Sequence, residues 1–176
     1  MSDSTHATPP PGVFDDVFGA NADYAADFSL DGLKPLAARG LALVTCMDSR
    51  IEPLDMLGLE PGDAKILRNA GARVTDDTLR TLVLAVYLLG VERVLILPHT
   101  KCKMASVEND DVVHDLILND YGVDTRSLEF KTNKDQLGAL QHDLERIRHH
   151  PLLPKGLPVA GAIYDVDNGR VTPVDL

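Results

Sequence analysis

Leu41-Ala-Leu-Val-Thr-Cys46-Met-Asp-Ser-Arg50 changes character halfway along its length. After Gly40 comes a short apolar run that reads as a buried strand. Its last residue carries a thiol, and a carboxylate, a hydroxyl and a guanidinium follow at Asp48, Ser49 and Arg50. Side chains of this kind, packed just after a strand, are where an open α/β sheet places its chemistry.

The same pattern recurs twice. Ala64-Lys-Ile-Leu-Arg68 reads as a second strand and runs into Arg68-Asn-Ala-Gly71. Arg93-Val-Leu-Ile-Leu-Pro98 reads as a third and runs into His99-Thr-Lys-Cys102. Helical segments lie between and beyond them. Pro53 suits the first turn of a short helix ending near Gly58. Asp76 and Asp77 suit the start of another, with Gly90 as its cap. Leu79 to Leu89 is apolar on nearly all sides, so that helix is expected to be buried. Further helices are expected over Asp110 to Tyr121, closed by Gly122, and over Gln136 to His149, ended before Pro151. Val159 to Val166 reads as a fourth strand. Asp167-Asn-Gly169 is a turn signal that makes Arg170 to Val174 its hairpin partner.

Strands alternating with helices specify an α/β fold: a mostly parallel β-sheet with helices on both faces and an antiparallel edge strand. Residues 1–12, polar and then proline-rich, read as a disordered tail, and 13–176 as a single domain. Val13, Phe14, Val17 and Phe18 fall at helical spacing, and that face packs either on its own domain or on a partner subunit.

Composition narrows the function classes. A formal charge of −10 argues against nucleic acid or an anionic membrane as partner. No stretch reaches the roughly 18 apolar residues of a membrane helix, and residues 1–12 lack the basic start and apolar stretch of a secretory signal. The chain is therefore read as cytoplasmic. No G-x-x-x-x-G-K or G-x-G-x-x-G occurs, so nucleotide binding has no support.

Cys46 and Cys102 are the chain's two cysteines. Taken singly, each suits a small buried hydrophobe, and His99 a hydrogen-bonded histidine. Taken together they suit zinc, which binds thiolate, neutral imidazole and carboxylate. The three-residue spacing of His99 and Cys102 lets one turn aim both at one ion, and Cys46 joins them if the first and third strands are neighbours. Asp48 and Arg50 are either an ion pair ordering a loop or part of the chemistry. His114, His142, His149 and His150 lie in expected helices or at their ends and read as surface residues.

Cys46-Met-Asp-Ser-Arg50, Arg68-Asn-Ala-Gly71 and His99-Thr-Lys-Cys102 resemble, in order and spacing, the signature elements of the β-class carbonic anhydrases. The likeness is clear over about residues 30–120 and looser at the final strand. It implies a carbonate dehydratase, a zinc-dependent lyase with one Zn²⁺ per chain held by Cys46, His99 and Cys102. Asp48 and Arg50 would be the catalytic pair, with Asp48 also a metal ligand in a closed state. Asn69, Ala70 and Gly71 would line or support the substrate pocket. A homodimer or higher homo-oligomer is implied, with the N-terminal helix reaching to the partner. Two positions depart from the family pattern. Lys103 stands where glycine is common, and its side chain either points to solvent or narrows the pocket or adds positive charge; Pro98 precedes the histidine, where other small or polar residues are common.

The implied reaction is reversible hydration of carbon dioxide to bicarbonate and a proton. Two thiolates temper the Lewis acidity of zinc, yet a bound water should still titrate near about 7–9 rather than ~15.7. Its hydroxide would attack carbon dioxide, oriented and gated by the Asp48–Arg50 pair. Two alternatives use the same residues: a carbon disulfide or carbonyl sulfide hydrolase, and a closed, non-catalytic zinc site.

Overall fold

The computed structural model describes residues 12–176, so the tail expected over residues 1–12 lies, apart from Gly12, outside the described residues. Two compact units are present, residues 12–33 and 34–176. The first carries helix α1 (Asp15–Ala26), which buries none of its residues and pairs Phe14 with Phe18 at a ring separation of 6.2 Å.

The second unit is built on a five-stranded sheet in the order β2-β1-β3-β4-β5. The strands are β1 (Leu41–Cys46), β2 (Ala64–Asn69), β3 (Arg93–Leu97), β4 (Val159–Tyr164) and β5 (Val171–Val174). All neighbours are parallel except β4 and β5, whose hairpin pairs Gly161 with Val174 and Tyr164 with Val171. Every residue of β1 is buried, because β1 is flanked by strands and covered on both faces.

Side-chain alternation sorts the two faces. Ala42, Val44, Val94 and Ile96 point to the face packed by α3 (Asp76–Leu88) and α6 (Gln136–Arg148), through Leu79, Leu82, Ala85, Leu140, Leu144 and Ile147. Leu43 and Leu97 point to the other, where α2 (Pro53–Leu57) adds Met56 and Leu57. Gly161 lets α6 close on β4, since a Cβ there would meet Leu140 Cδ2 at 3.0 Å.

Three expectations need correction. Helix α3 is not buried all round: Leu79, Leu82 and Ala85 face the core, but Leu84, Tyr87 and Leu88 are 43, 60 and 66% exposed. A helix lying on one sheet face can bury only one stripe. The fourth strand stops at Tyr164, because Asp165 begins the turn, its carboxylate accepting from Thr100 Oγ1 and the Asp167 amide. His114 is a buried residue rather than a surface one: its Nδ1 lies 2.8 Å from Thr125 Oγ1 and its ring 5.1 Å from Phe130. The chain after α5 (Asp110–Tyr121), which follows the single-turn α4 (Lys103–Ser106), folds back over it, which helical periodicity could not foresee.

Asp110 secures that returning segment. Its carboxylate accepts from the amides of Phe130, Lys131 and Thr132 and from Thr132 Oγ1, at 2.7 to 3.0 Å. Burial alone would raise its pKa, but the Thr132 hydroxyl and the three amides outweigh it and lower the value to about 2. The folded pKa lies below the unfolded value of about 3.9, so this stabilisation is complete above that value and lost as pH falls through about 2. With solvent screening allowed for, wild type should lose about 1–2 kcal/mol more than Asp110→Asn between pH 5 and pH 2. Urea unfolding across that range measures the difference, and parallel curves would contradict it.

Candidate metal centre

The site lies at the C-terminal ends of β1 and β3, the neighbouring central strands. Cys46 is the last residue of β1. Pro98 interrupts the β3 ladder, and pairing resumes at His99 opposite Tyr164. The turn after His99 is fixed to β4: the Thr100 amide donates to the Tyr164 carbonyl at 2.9 Å, and Thr100 Oγ1 reaches Asp165 at 3.2 Å.

One ligand atom each from Cys46, His99 and Cys102 lie within 4.8 Å of one another, and all three residues are buried. Tetrahedral zinc with bonds of about 2.0–2.3 Å needs ligand atoms roughly 3.4–3.8 Å apart, which such a cluster accommodates. The histidine is prepared for it. Its Nδ1 faces the Thr100 carbonyl at 2.8 Å, and a carbonyl only accepts, so the proton sits on Nδ1. Nε2 therefore presents a lone pair, and it is buried without a hydrogen-bond partner. A buried imidazole nitrogen left bare beside two thiols is the donor set of a thiolate–imidazole metal site. Gln136 Nε2 steadies the loop by donating to the His99 carbonyl at 3.0 Å.

The sulfurs are surrounded by donors. Donation from Cys102 and from the amides of Gly71 and Asp48 holds the Cys46 thiol far below its usual range in spite of burial. Donation to Cys46 and burial push Cys102 up, opposed by the amides of Met104 and Ala105. Gly71 can aim its amide because it adopts a left-handed backbone, φ +78°, where a Cβ would also press on Met104 Cβ at 3.2 Å.

Asp48 stands beside this cluster, with Oδ2 3.7 Å from His99 Nε2. Arg50 grips it in a fork, Nε to Oδ1 at 2.9 Å and Nη2 to Oδ2 at 2.7 Å, and the Arg50 amide adds a third bond at 3.0 Å. The side-chain hydrogen bonds from Arg50 hold the Asp48 carboxyl well below the usual carboxylate range. Arg50 Nη2 also donates to the Lys101 carbonyl at 3.2 Å, from a residue in the left-handed region at φ +55°. Arg68, on the edge strand, donates to the carbonyls of Cys46 and Asp48 at 2.9 and 2.6 Å.

A cavity of about 570 Å³ opens here. Met47, Ala70 and Met104 give it apolar wall, and Asp48, Arg50 and Lys103 give it charge. Of the residues singled out for a pocket, Ala70 and Lys103 line the cavity. Gly71 is not among its lining residues, and Asn69 turns its amide to Arg73 and Thr78. Sequence reasoning gave no task to Lys101, Gln136, Met47 or Met104, and none to Arg68 alone. Arg68 carried a signal, as the first residue of a polar cluster at a strand end. Met47, Lys101 and Met104 sit within or beside the signature motifs, whereas Gln136 reaches the site only through a tertiary contact.

The carbonic anhydrase family profile matches residues 41–171, most of the chain. Beta-carbonic anhydrase 1 of Mycobacterium tuberculosis is 35% identical over 164 residues, 92% of this chain and 98% of that protein. A carbon disulfide hydrolase of Acidithiobacillus thiooxidans is 32% identical over 155 residues, 77% of each chain. Among solved structures, a carbonic anhydrase from Streptococcus mutans superposes with a TM-score of 0.86 at 37% identity, covering 92% of this chain and 97% of that one.

Proposed function

Because the chain belongs to the β-carbonic anhydrase family, we propose that it catalyses the reversible hydration of carbon dioxide to bicarbonate and a proton. The observation that carries the reading is a carboxylate held in an arginine fork 3.7 Å from a bare, buried imidazole nitrogen, at the wall of a largely apolar cavity.

Cys46, His99 and Cys102 hold the zinc. When bound, the ion supplies the Lewis acidity that makes water a nucleophile near neutral pH. The remaining chemistry belongs to side chains. Arg50 keeps Asp48 ionised and fixes both its oxygens, so the carboxylate can accept a hydrogen bond from the nucleophile and orient it. A lysine, a point charge without the fork, would hold the carboxylate less well. Met47, Ala70 and Met104 offer the uncharged substrate an apolar approach. A bound metal would offer Asp48 a second partner; pairing with Arg50 instead would leave the site open, and that choice would favour turnover at alkaline pH.

Carbon disulfide or carbonyl sulfide hydrolysis is a second reading, favoured by the Acidithiobacillus thiooxidans relative and by the thioether-walled cavity. Among the described residues no helix is long and apolar enough to cross a membrane. Two thiols kept for metal suit a reducing, cytoplasmic setting. The exposed Leu84, Tyr87 and Leu88 on α3 suit burial in a homo-oligomer.

Stopped-flow carbon dioxide hydration on zinc-quantified protein, at pH 7 and pH 8.5, tests the main reading. Turnover that rises at pH 8.5 is expected. Silence at both values with one zinc per chain would overturn it; sulfide released from carbon disulfide would then favour the second reading, and inertness toward both a closed zinc site.

A further inference from the structure

One charged group on the cavity wall has no task in the reading above. Lys103 lines the cavity beside Met47, Ala70 and Met104. The other two charged wall groups are committed to each other, Asp48 and Arg50 at 2.7 and 2.9 Å. Lys101, Lys131 and Lys134 are likewise paired, with Asp167, Glu129 and Glu108. The exposed Lys103 ammonium enters none of the ion pairs among the described residues; its carbonyl alone is engaged, by Ser106 Oγ at 2.8 Å.

The chemistry proposed for this cavity changes the charge of its occupant. Carbon dioxide is neutral and suits the apolar wall. Bicarbonate is an anion, and it meets a chain whose formal charge is −10. Such a chain repels anions at long range, so entry of the anion depends on positive charge at the mouth. Arg50 contributes little, because its charge is spent on Asp48.

We propose that Lys103 recruits the anionic partner of the reaction, drawing bicarbonate, or a small monovalent anion in its place, into the cavity. The inference rests on the function proposed above for the identity of the anion, but not for the binding itself. A full charge about 8–10 Å from the anion in a half-solvated mouth changes affinity by about fivefold, and reversing that charge squares the effect. Salt at about 0.3 M suppresses most of it, since the Debye length then falls below that separation.

The probe is thiocyanate, titrated calorimetrically into zinc-quantified full-length protein at about 20 mM ionic strength. Its Kd is expected to rise about fivefold in Lys103→Ala and about 25-fold in Lys103→Glu, and to stay within about twofold in Lys103→Arg. The differences should shrink when sodium sulfate raises the ionic strength to about 0.3 M. In steady-state assays KM for bicarbonate should rise in the same order, while KM for carbon dioxide stays within about twofold. Equal thiocyanate affinity in all four proteins, or a loss in Lys103→Arg as large as in Lys103→Ala, would overturn the proposal. Calorimetry does not require turnover, so the two readings fail separately. Lys103-dependent thiocyanate binding without carbon dioxide hydration would sink the proposed function and leave this role standing. Hydration with Lys103-independent binding would do the reverse.

Discussion

Asp48→Asn is expected to lower carbon dioxide turnover by about 100-fold or more while zinc stays near one per chain. The substitution keeps the shape of the side chain and removes its charge. Arg50 then loses the carboxylate it grips with Nε and Nη2, and the nucleophile loses a fixed acceptor 3.7 Å from His99 Nε2. Metal retention follows from the division of labour, since Cys46, His99 and Cys102 cluster without help from Asp48. Arg50 holds the Asp48 carboxyl well below the usual range, so it remains ionised throughout pH 6–9. A change in activity over that span therefore reports exchange of partners or ionisation of the nucleophile, not protonation of Asp48. Metal analysis beside stopped-flow kinetics checks the prediction. Activity within threefold of wild type would remove Asp48 from the mechanism, and loss of zinc would make it a structural ligand.

The second large effect concerns stability. Arg73 follows the turn that carries Ala70 and Gly71, and it meets Asp143 of α6 at 2.7 and 3.2 Å. Asp143 also accepts from the Val74 amide at 3.0 Å, and Arg73 donates to the Lys131 carbonyl at 3.0 Å. The two side chains are 12% and 2% exposed. Removing one partner leaves the other charge buried and unpaired, so Asp143→Asn should cost about 3–5 kcal/mol. For a chain of this size that lowers Tm by roughly 6–20 °C. Replacing both partners by apolar residues, Arg73→Met with Asp143→Leu, should recover much of the loss, because no charge then remains buried. Thermal unfolding of the three variants makes the comparison. An Asp143→Asn loss below about 1 kcal/mol would show that water reaches the pair.

This ion pair also marks the limit of sequence reading. Its partners lie 70 residues apart, and nothing local announces either. The three residues that cluster as a candidate metal site were legible for the opposite reason. Cys46 ends one short apolar strand, His99 and Cys102 lie in the turn just after another, and all three are marked by their own residue types and spacing. The Asp48–Arg50 fork is local too, closing across two residues. The brace from Arg68 to the Cys46 and Asp48 carbonyls needed β2 to pair beside β1 in one register, Cys46 opposite Asn69.

Sequence by itself determined the α/β class, the antiparallel edge hairpin and the residues able to hold a metal. These follow from hydrophobic period, turn chemistry and ligand spacing, all expressed within a few residues. Tertiary structure alone decided the strand order β2-β1-β3-β4-β5, the burial of His114, the exposed outer stripe of α3 and the lining of the cavity. An amphipathic period states that a face will be buried but not against what. Which long-range packing satisfies it is settled by the whole chain at once, through register, close approach and the pairing of buried charge.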